Sequence, residues 1–231
     1  MTNGTTNELN RELSVSQSPP QITNKIISRL FSPQPCQYRG FSLSSSLVIF
    51  RFYVKKVLYG RVKLEHATAL LRFEKKGIVQ QLLHKLKYKG YEDIGLLLGG
   101  WLGTELKEMG DYNDIDIVIP VPLHKRKLKK RGYNQVEKFA KEVASILEVP
   151  YKDRVLQKSS STSTQVFKKR IARWIDKDEV FTLANPSLIA NKHILLCDDI
   201  ITTGATIEAC ANELLKAPNV KISVVTMAIA Q

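Results

Sequence analysis

Apolar residues recur at helical spacing in four stretches of the chain, and short unbroken apolar runs fall between them. Ile78, Leu82, Leu83 and Leu86 form one stripe of a helix expected over 75–89, bracketed by Gly77 and Gly90. A second helix is expected over roughly 94–109, where Gly95, Gly99, Gly100 and Gly103 would allow close packing. Val136, Phe139, Ala140, Val143 and Leu147 mark a third, and Ile207, Cys210, Ala211, Leu214 and Leu215 a fourth. The runs at 115–119, 194–197 and 220–229 read as buried strands, with a strand region at 61–73 and a short strand at Val155 and Leu156. Strands alternating with helices predict an α/β fold, a mainly parallel sheet flanked by helices.

The first 60 residues do not join this pattern. Residues 1–24 are rich in Asn, Thr, Ser, Gln and Pro and read as a disordered tail. Pro33, Pro35 and the Cys36–Gly40 stretch suggest a turn, and 42–46 a serine loop. The apolar run at 47–58 is cut by Arg51, Lys55 and Lys56. It reads as a poorly specified linker or docking segment, with a membrane-surface helix as the alternative.

A chain of 231 residues can hold one good-sized core, and 43% hydrophobic with 25% charged residues is ordinary for a globular protein. The balance of charge changes the picture: 35 Lys and Arg against 22 Asp and Glu give +13. Such a surface expects an anionic partner, whether phosphorylated substrates, nucleic acid or both. The three cysteines have no metal-ligand spacing, and Cys197 and Cys210 fall at core positions. With no apolar leader near the start, a cytoplasmic location is expected.

The most informative stretch is 193–206. A buried-strand run ends in Asp198 and Asp199, and Thr202-Thr203-Gly204-Ala205-Thr206 then leads into a helix. A small glycine-bearing turn at a helix N-terminus presents N–H groups and the positive end of the helix dipole to an anion. Carboxylates beside it suit sugar hydroxyls, or a divalent cation bound through oxygen. The plainer alternative is an ordinary strand-to-helix turn whose acids only cap and hydrate the strand end. Upstream, the strand at 115–119 is followed by a loop with Val121 and Pro122, then by Lys125-Arg126-Lys127-Leu128-Lys129-Lys130-Arg131, six positive charges in seven residues. At the carboxyl end of a parallel strand, such a segment suits a strongly anionic group such as pyrophosphate. A solvated loop or a nucleic-acid patch is the alternative. Residues 157–165 have almost nothing to bury and lead to Lys168, Lys169, Arg170 and Arg173. That is the composition of an active-site lid, including Ser159, Ser160, Thr164 and Gln165. His84 reads as packed rather than catalytic.

The 198–206 motif resembles the ribose-phosphate signature of the type I phosphoribosyltransferases. Three segments together resemble the ComF/GntX family, linked to competence and DNA uptake. They are Ile119-Pro120-Val121-Pro122-Leu123-His124 followed by Arg131-Gly132-Tyr133-Asn134-Gln135, then Thr164-Gln165 with Arg170 and Arg173-Trp174, then 196–206. The likeness also takes in His84-Lys85-Leu86-Lys87-Tyr88-Lys89-Gly90, so it covers about 55–231. It implies 5-phosphoribosyl 1-pyrophosphate as ligand, with Asp198 and Asp199 on the ribose hydroxyls and 202–206 on the 5′-phosphate. Val121, Pro122, Lys125, Lys130 and Arg131 would meet the pyrophosphate, and Arg170 or Arg173 would close over it. Mg2+ would be met by Asp198 and Asp199 through sugar hydroxyls or water. Cys36-Gln37-Tyr38-Arg39 resembles one half of the family's zinc motif with Arg39 replacing the second cysteine, so no zinc is expected.

The expected organisation is an unspecified segment over 1–54, a helical hood over 55–110 and the α/β domain over 111–231. The implied function is transfer of a phosphoribosyl group to an unidentified acceptor. Single-stranded-DNA handling without turnover and a ligand sensor are the alternatives. Acceptor and oligomeric state stay open.

Overall fold

The structure, a computed structural model, describes residues 43–160 and 179–230. Its centre is a four-stranded parallel sheet in the order β1 (Ala67–Phe73), β6 (Lys221–Ala230), β5 (His193–Ile201), β2 (Ile117–Pro120). Tyr151 adds an isolated parallel bridge to Val118. A separate two-stranded antiparallel sheet pairs β3 (Leu156–Ser160) with β4 (Glu179–Leu183).

Each strand divides its side chains between two cores, because alternate residues of a strand face opposite ways. Leu195 and Cys197 of β5, with Val118 of β2 and Val225 of β6, join one core. Ile194 and Leu196, with Ile117, Ile119 and Val224, join the other. Helices cover both faces, which is why these strands read as unbroken apolar runs. The first face carries α2 (Ile78–Tyr88), α3 (Asp93–Met109) and α5 (Glu137–Ile146); the second carries α1 (Leu43–Leu58) and α6 (Ala205–Leu214). Between β2 and α5 lies a short helix, α4 (Lys125–Arg131).

Helix α3 lies very close to α5. Cβ atoms built on Gly95, Gly99 and Gly103 would meet Phe139 N at 3.3 Å, Phe139 O at 2.6 Å and Ile146 Cδ1 at 3.0 Å. Gly100 is off this stripe, since its nearest contact would be Glu142 at 3.8 Å. Leu98, Leu102 and Leu106 of α3 are buried in the first core, each contributing about 1.5–3 kcal/mol relative to exposure.

Several expectations change. The stretch at 47–58 is part of α1, whose Val54 and Leu58 are buried in the second core; the helical spacing was hidden by its cationic interruptions. The segment at 55–110 supplies an edge strand of the main sheet as well as two covering helices. The lysine-rich stretch at 125–131 is helical with no buried residue. The 157–165 stretch begins as strand, through Ser160. His84 is exposed, its ring centroid 5.0 Å from that of Tyr88, because it falls off the Leu82, Leu83, Leu86 stripe. No helix among the described residues is long and apolar enough to cross a membrane. Residues 1–42, including Cys36 and its neighbours, lie outside the described residues.

Candidate functional site

The carboxyl ends of β2 and β5 lie side by side, with Pro120 opposite Cys197. One residue further along β5 the chain must place Asp198 and Asp199, and both are buried. Asp198 Oδ1 accepts a hydrogen bond from the Asp199 N–H at 2.8 Å. Burial pushes the Asp198 carboxyl well above the usual carboxylate range. The Asp199 charge beside it adds to the shift, while Lys87 and Lys158 oppose it. Asp199 Oδ2 has two donors of its own, Lys87 Nζ at 3.0 Å and Gln135 Nε2 at 2.6 Å.

Gln135 arrives there through the 131–135 element. The Arg131 guanidinium donates to Gln135 Oε1, so arginine, amide and carboxylate form one chain. The Tyr133 hydroxyl donates to the Leu86 carbonyl and thereby ties this element to the end of α2. Asn134 Nδ2 donates to the Val121 carbonyl at 3.0 Å, while its Oδ1 accepts from the Val136 N–H at 3.2 Å. One amide side chain thus fixes both the loop after β2 and the entry to α5.

Between α2 and α4 opens a cleft of ≈ 420 Å³ lined by Lys87, Tyr88, Lys127, Lys130, Arg131 and Tyr133. Arg131 lies over the Tyr88 ring at 5.3 Å. Helix α4 itself is capped by His124, whose Nδ1 accepts from the Arg126 N–H at 3.1 Å. Its cations repel one another at i,i+3 and i,i+4 spacing, by about 0.2–0.5 kcal/mol per pair. An anion in the cleft would relieve that repulsion.

The turn at 202–206 closes the other side of β5. Thr202, Thr203 and Ala205 are exposed, Thr206 is half-buried and Gly204 is buried. Gly204 has φ +78°, and a Cβ there would meet Leu58 Cδ2 at 2.8 Å, so both backbone conformation and space call for glycine. It stands at the N-cap of α6, whose first N–H groups have no partner within the helix. Arg61, just after α1, donates to the Thr203 carbonyl and to Glu208 Oε2, bracing the turn from outside.

Of the residues expected at a pyrophosphate, Lys130 and Arg131 line the cleft, whereas Lys125 is exposed elsewhere on α4. Val121 is buried and its N–H donates to the Cys197 carbonyl at 2.8 Å, while Pro122 is half-buried. The structure brings Asp198, Asp199, Lys130 and Arg131 into one neighbourhood through Lys87 and Gln135. Ser159 and Ser160 end β3, and Thr164, Gln165, Arg170 and Arg173 lie outside the described residues. Sequence reading did not assign roles to Lys87, Tyr133, Gln135 or Arg61. The signal was present for three of them in the Lys85–Gly90 and Arg131–Gln135 motifs; Arg61 has none. Cys197 and Cys210 are buried, as their core positions implied, and neither is in a disulfide.

Residues 137–230 match a family model described as the phosphoribosyl transferase domain. A DNA utilization protein, YhgH, of Escherichia coli O157:H7 is 27% identical over 138 residues, 58% of this chain and 60% of that protein. Competence protein F of Haemophilus influenzae is 28% identical over 102 residues, 44% of each chain. The chain therefore spans 60% and 44% of the lengths of these two relatives. Among solved structures, a purine phosphoribosyltransferase of Pyrococcus horikoshii is 16% identical over 57% of this chain and 71% of its own, with a TM-score of 0.37. Adenine phosphoribosyltransferase of Leishmania tarentolae is 12% identical over 71% and 91%, with a TM-score of 0.39. Likeness that distant carries no weight beside the sheet itself. The parallel sheet with helices on both faces, and the domain match over residues 137–230, make this a chain of the type I phosphoribosyltransferase-like fold.

Proposed function

We propose that this protein binds 5-phosphoribosyl 1-pyrophosphate and transfers its phosphoribosyl group to an acceptor, releasing pyrophosphate. The observation that carries the reading is the 3.0 Å contact between Lys87 and Asp199, because Lys87 also lines the cationic cleft. An anion subsite and a hydroxyl-binding acid thus share one side chain. The 202–206 turn, further along the same strand-to-helix connection, suits the 5′-phosphate.

In this reading Asp198 and Asp199 accept hydrogen bonds from the ribose hydroxyls, and Lys87, Lys127, Lys130 and Arg131 hold the pyrophosphate. The bond from C1 to the pyrophosphate oxygen breaks, with its electron pair leaving on pyrophosphate, as the acceptor forms its bond to C1. Fixed positive charge around the departing anion supplies the acceleration. Two adjacent carboxylates are hard oxygen donors that suit Mg2+ retaining water and ligand oxygens. Asp198 and Asp199 would hold Mg2+ through sugar hydroxyls or water, and when bound it would neutralise pyrophosphate charge. Arg170 and Arg173 complete the proposal as residues closing over the leaving group.

Calorimetric titration with 5-phosphoribosyl 1-pyrophosphate and Mg2+ tests the reading. Binding should be saturable in the natural protein and lost in Asp199→Asn; equal binding by the two would overturn it. Pyrophosphate release across a panel of acceptors then separates an enzyme from a sensor.

A second reading, handling of single-stranded DNA, is favoured by a different observation. Tyr88 and Tyr91 are 66% and 58% exposed, among Lys85, Lys87 and Lys89. Stacking aromatics interleaved with cations are what a single strand needs. The similar proteins named for DNA utilization and competence point the same way.

A further inference from the structure

We propose that Lys87 is a two-position side chain that couples the two halves of the site. In the empty protein its ammonium neutralises Asp199. When a pyrophosphorylated sugar arrives, it turns to the pyrophosphate and leaves Asp199 to the sugar hydroxyls. This rests on the sugar-pyrophosphate reading above and adds to it a reason why the intact ligand is preferred over its fragments.

Four observations support the exchange. The Lys87 Nζ lies 3.0 Å from Asp199 Oδ2, and Asp199 is buried. A buried carboxylate without a counter-charge is costly, so the empty site needs this cation. The same side chain is 23% exposed and lines the cleft shared with Lys127, Lys130 and Arg131, so the second position lies within the space it already borders. Asp199 keeps the Gln135 amide at 2.6 Å, and sugar hydroxyls can replace the lysine as donors. Finally, Tyr133 anchors the Leu86 carbonyl, so the change falls on a flexible side chain rather than on the helix that carries it. Lysine suits this, being a compact charge on a four-carbon stem with rotatable donors.

The coupling follows from charge at the pyrophosphate end and hydrogen bonding at the sugar end. Ribose 5-phosphate must compete with Lys87 for Asp199 and brings no pyrophosphate to draw the lysine away. Inorganic pyrophosphate draws the lysine away but brings no hydroxyl donors to replace it at Asp199. Only the joined ligand satisfies both groups together.

The test measures three probes by calorimetry at fixed Mg2+: 5-phosphoribosyl 1-pyrophosphate, ribose 5-phosphate and inorganic pyrophosphate. In Lys87→Gln, affinity for both pyrophosphate-bearing probes should fall about tenfold or more. Affinity for ribose 5-phosphate should hold or rise. In Asp199→Asn, inorganic pyrophosphate should bind more tightly, because Lys87 is no longer held; misfolding would not give that gain. A proportional loss of all three probes in Lys87→Gln would overturn the exchange, as would unchanged pyrophosphate binding there or weakened pyrophosphate binding in Asp199→Asn. The sugar-pyrophosphate reading would survive those results. Failure of the natural protein to bind any of the probes would instead overturn that reading, and the exchange with it.

Discussion

Carboxylates at the two ends of β5 experience opposite surroundings. At its start, Asp116 accepts the His193 N–H at 2.8 Å and pairs with Lys192 at 3.3 Å. The backbone hydrogen bond, more than the lysine, holds its carboxyl below the usual range. A depressed carboxylate adds stability above its unfolded value, and that contribution is lost as pH falls through the folded value. Asp116→Asn should therefore lower the thermal midpoint at neutral pH. The difference from the natural protein should shrink to nothing on acidification through that folded value, and melts across a pH series would show it. A constant difference would mean that the charge is irrelevant. At the far end, burial raises Asp198, with the neighbouring Asp199 charge adding to the shift. The doublet itself was legible because two acids ahead of a Thr-Thr-Gly turn are unusual in any strand. Lys87 was not, since on a helical wheel it is merely one of three lysines opposite an apolar stripe.

At the level of elements, periodicity predicted α2, α3, α5 and α6 because each has one buried stripe. It missed α1, whose buried stripe is interrupted by cations, and α4, which has no stripe. Helix α4 buries nothing and is held by a histidine cap and by helix-forming Lys and Arg residues. The glycines of α3 were expected to permit close packing, and three of the four do so against α5. Gly99→Ala should thus be destabilising by about 1–3 kcal/mol, because its methyl group would meet backbone that cannot give way. Gly100→Ala, with its nearest contact at 3.8 Å, should be neutral or slightly stabilising, since alanine is the better helix former. Denaturant melts of the two variants check the pair, and equal effects would contradict the packing.

Across the whole molecule, a net charge of +13 makes salt the variable that separates the two ligand classes. A single strand contacting six to ten phosphates should lose ~10³-fold or more in affinity between 50 and 200 mM salt. One small anion in a cleft should lose far less, because it displaces few counterions. Fluorescence anisotropy with an oligonucleotide, beside calorimetry with the sugar ligand at the same salts, measures both slopes. The sequence alone determined the parallel α/β core, through unbroken apolar strands between amphipathic helices, and it marked the Asp198-Asp199 doublet and the Gly204 turn, because those features are local along the chain. Only the tertiary structure decided that α1 packs beneath that turn, that Arg131 reaches Asp199 through Gln135, and that Lys87 stands between the acid and the cationic cleft. The Gln135–Asp199, Lys87–Asp199 and Leu58–Gly204 contacts join residues 64, 112 and 146 positions apart, and no pattern along the chain records a distance that exists only once the helices have docked on the sheet.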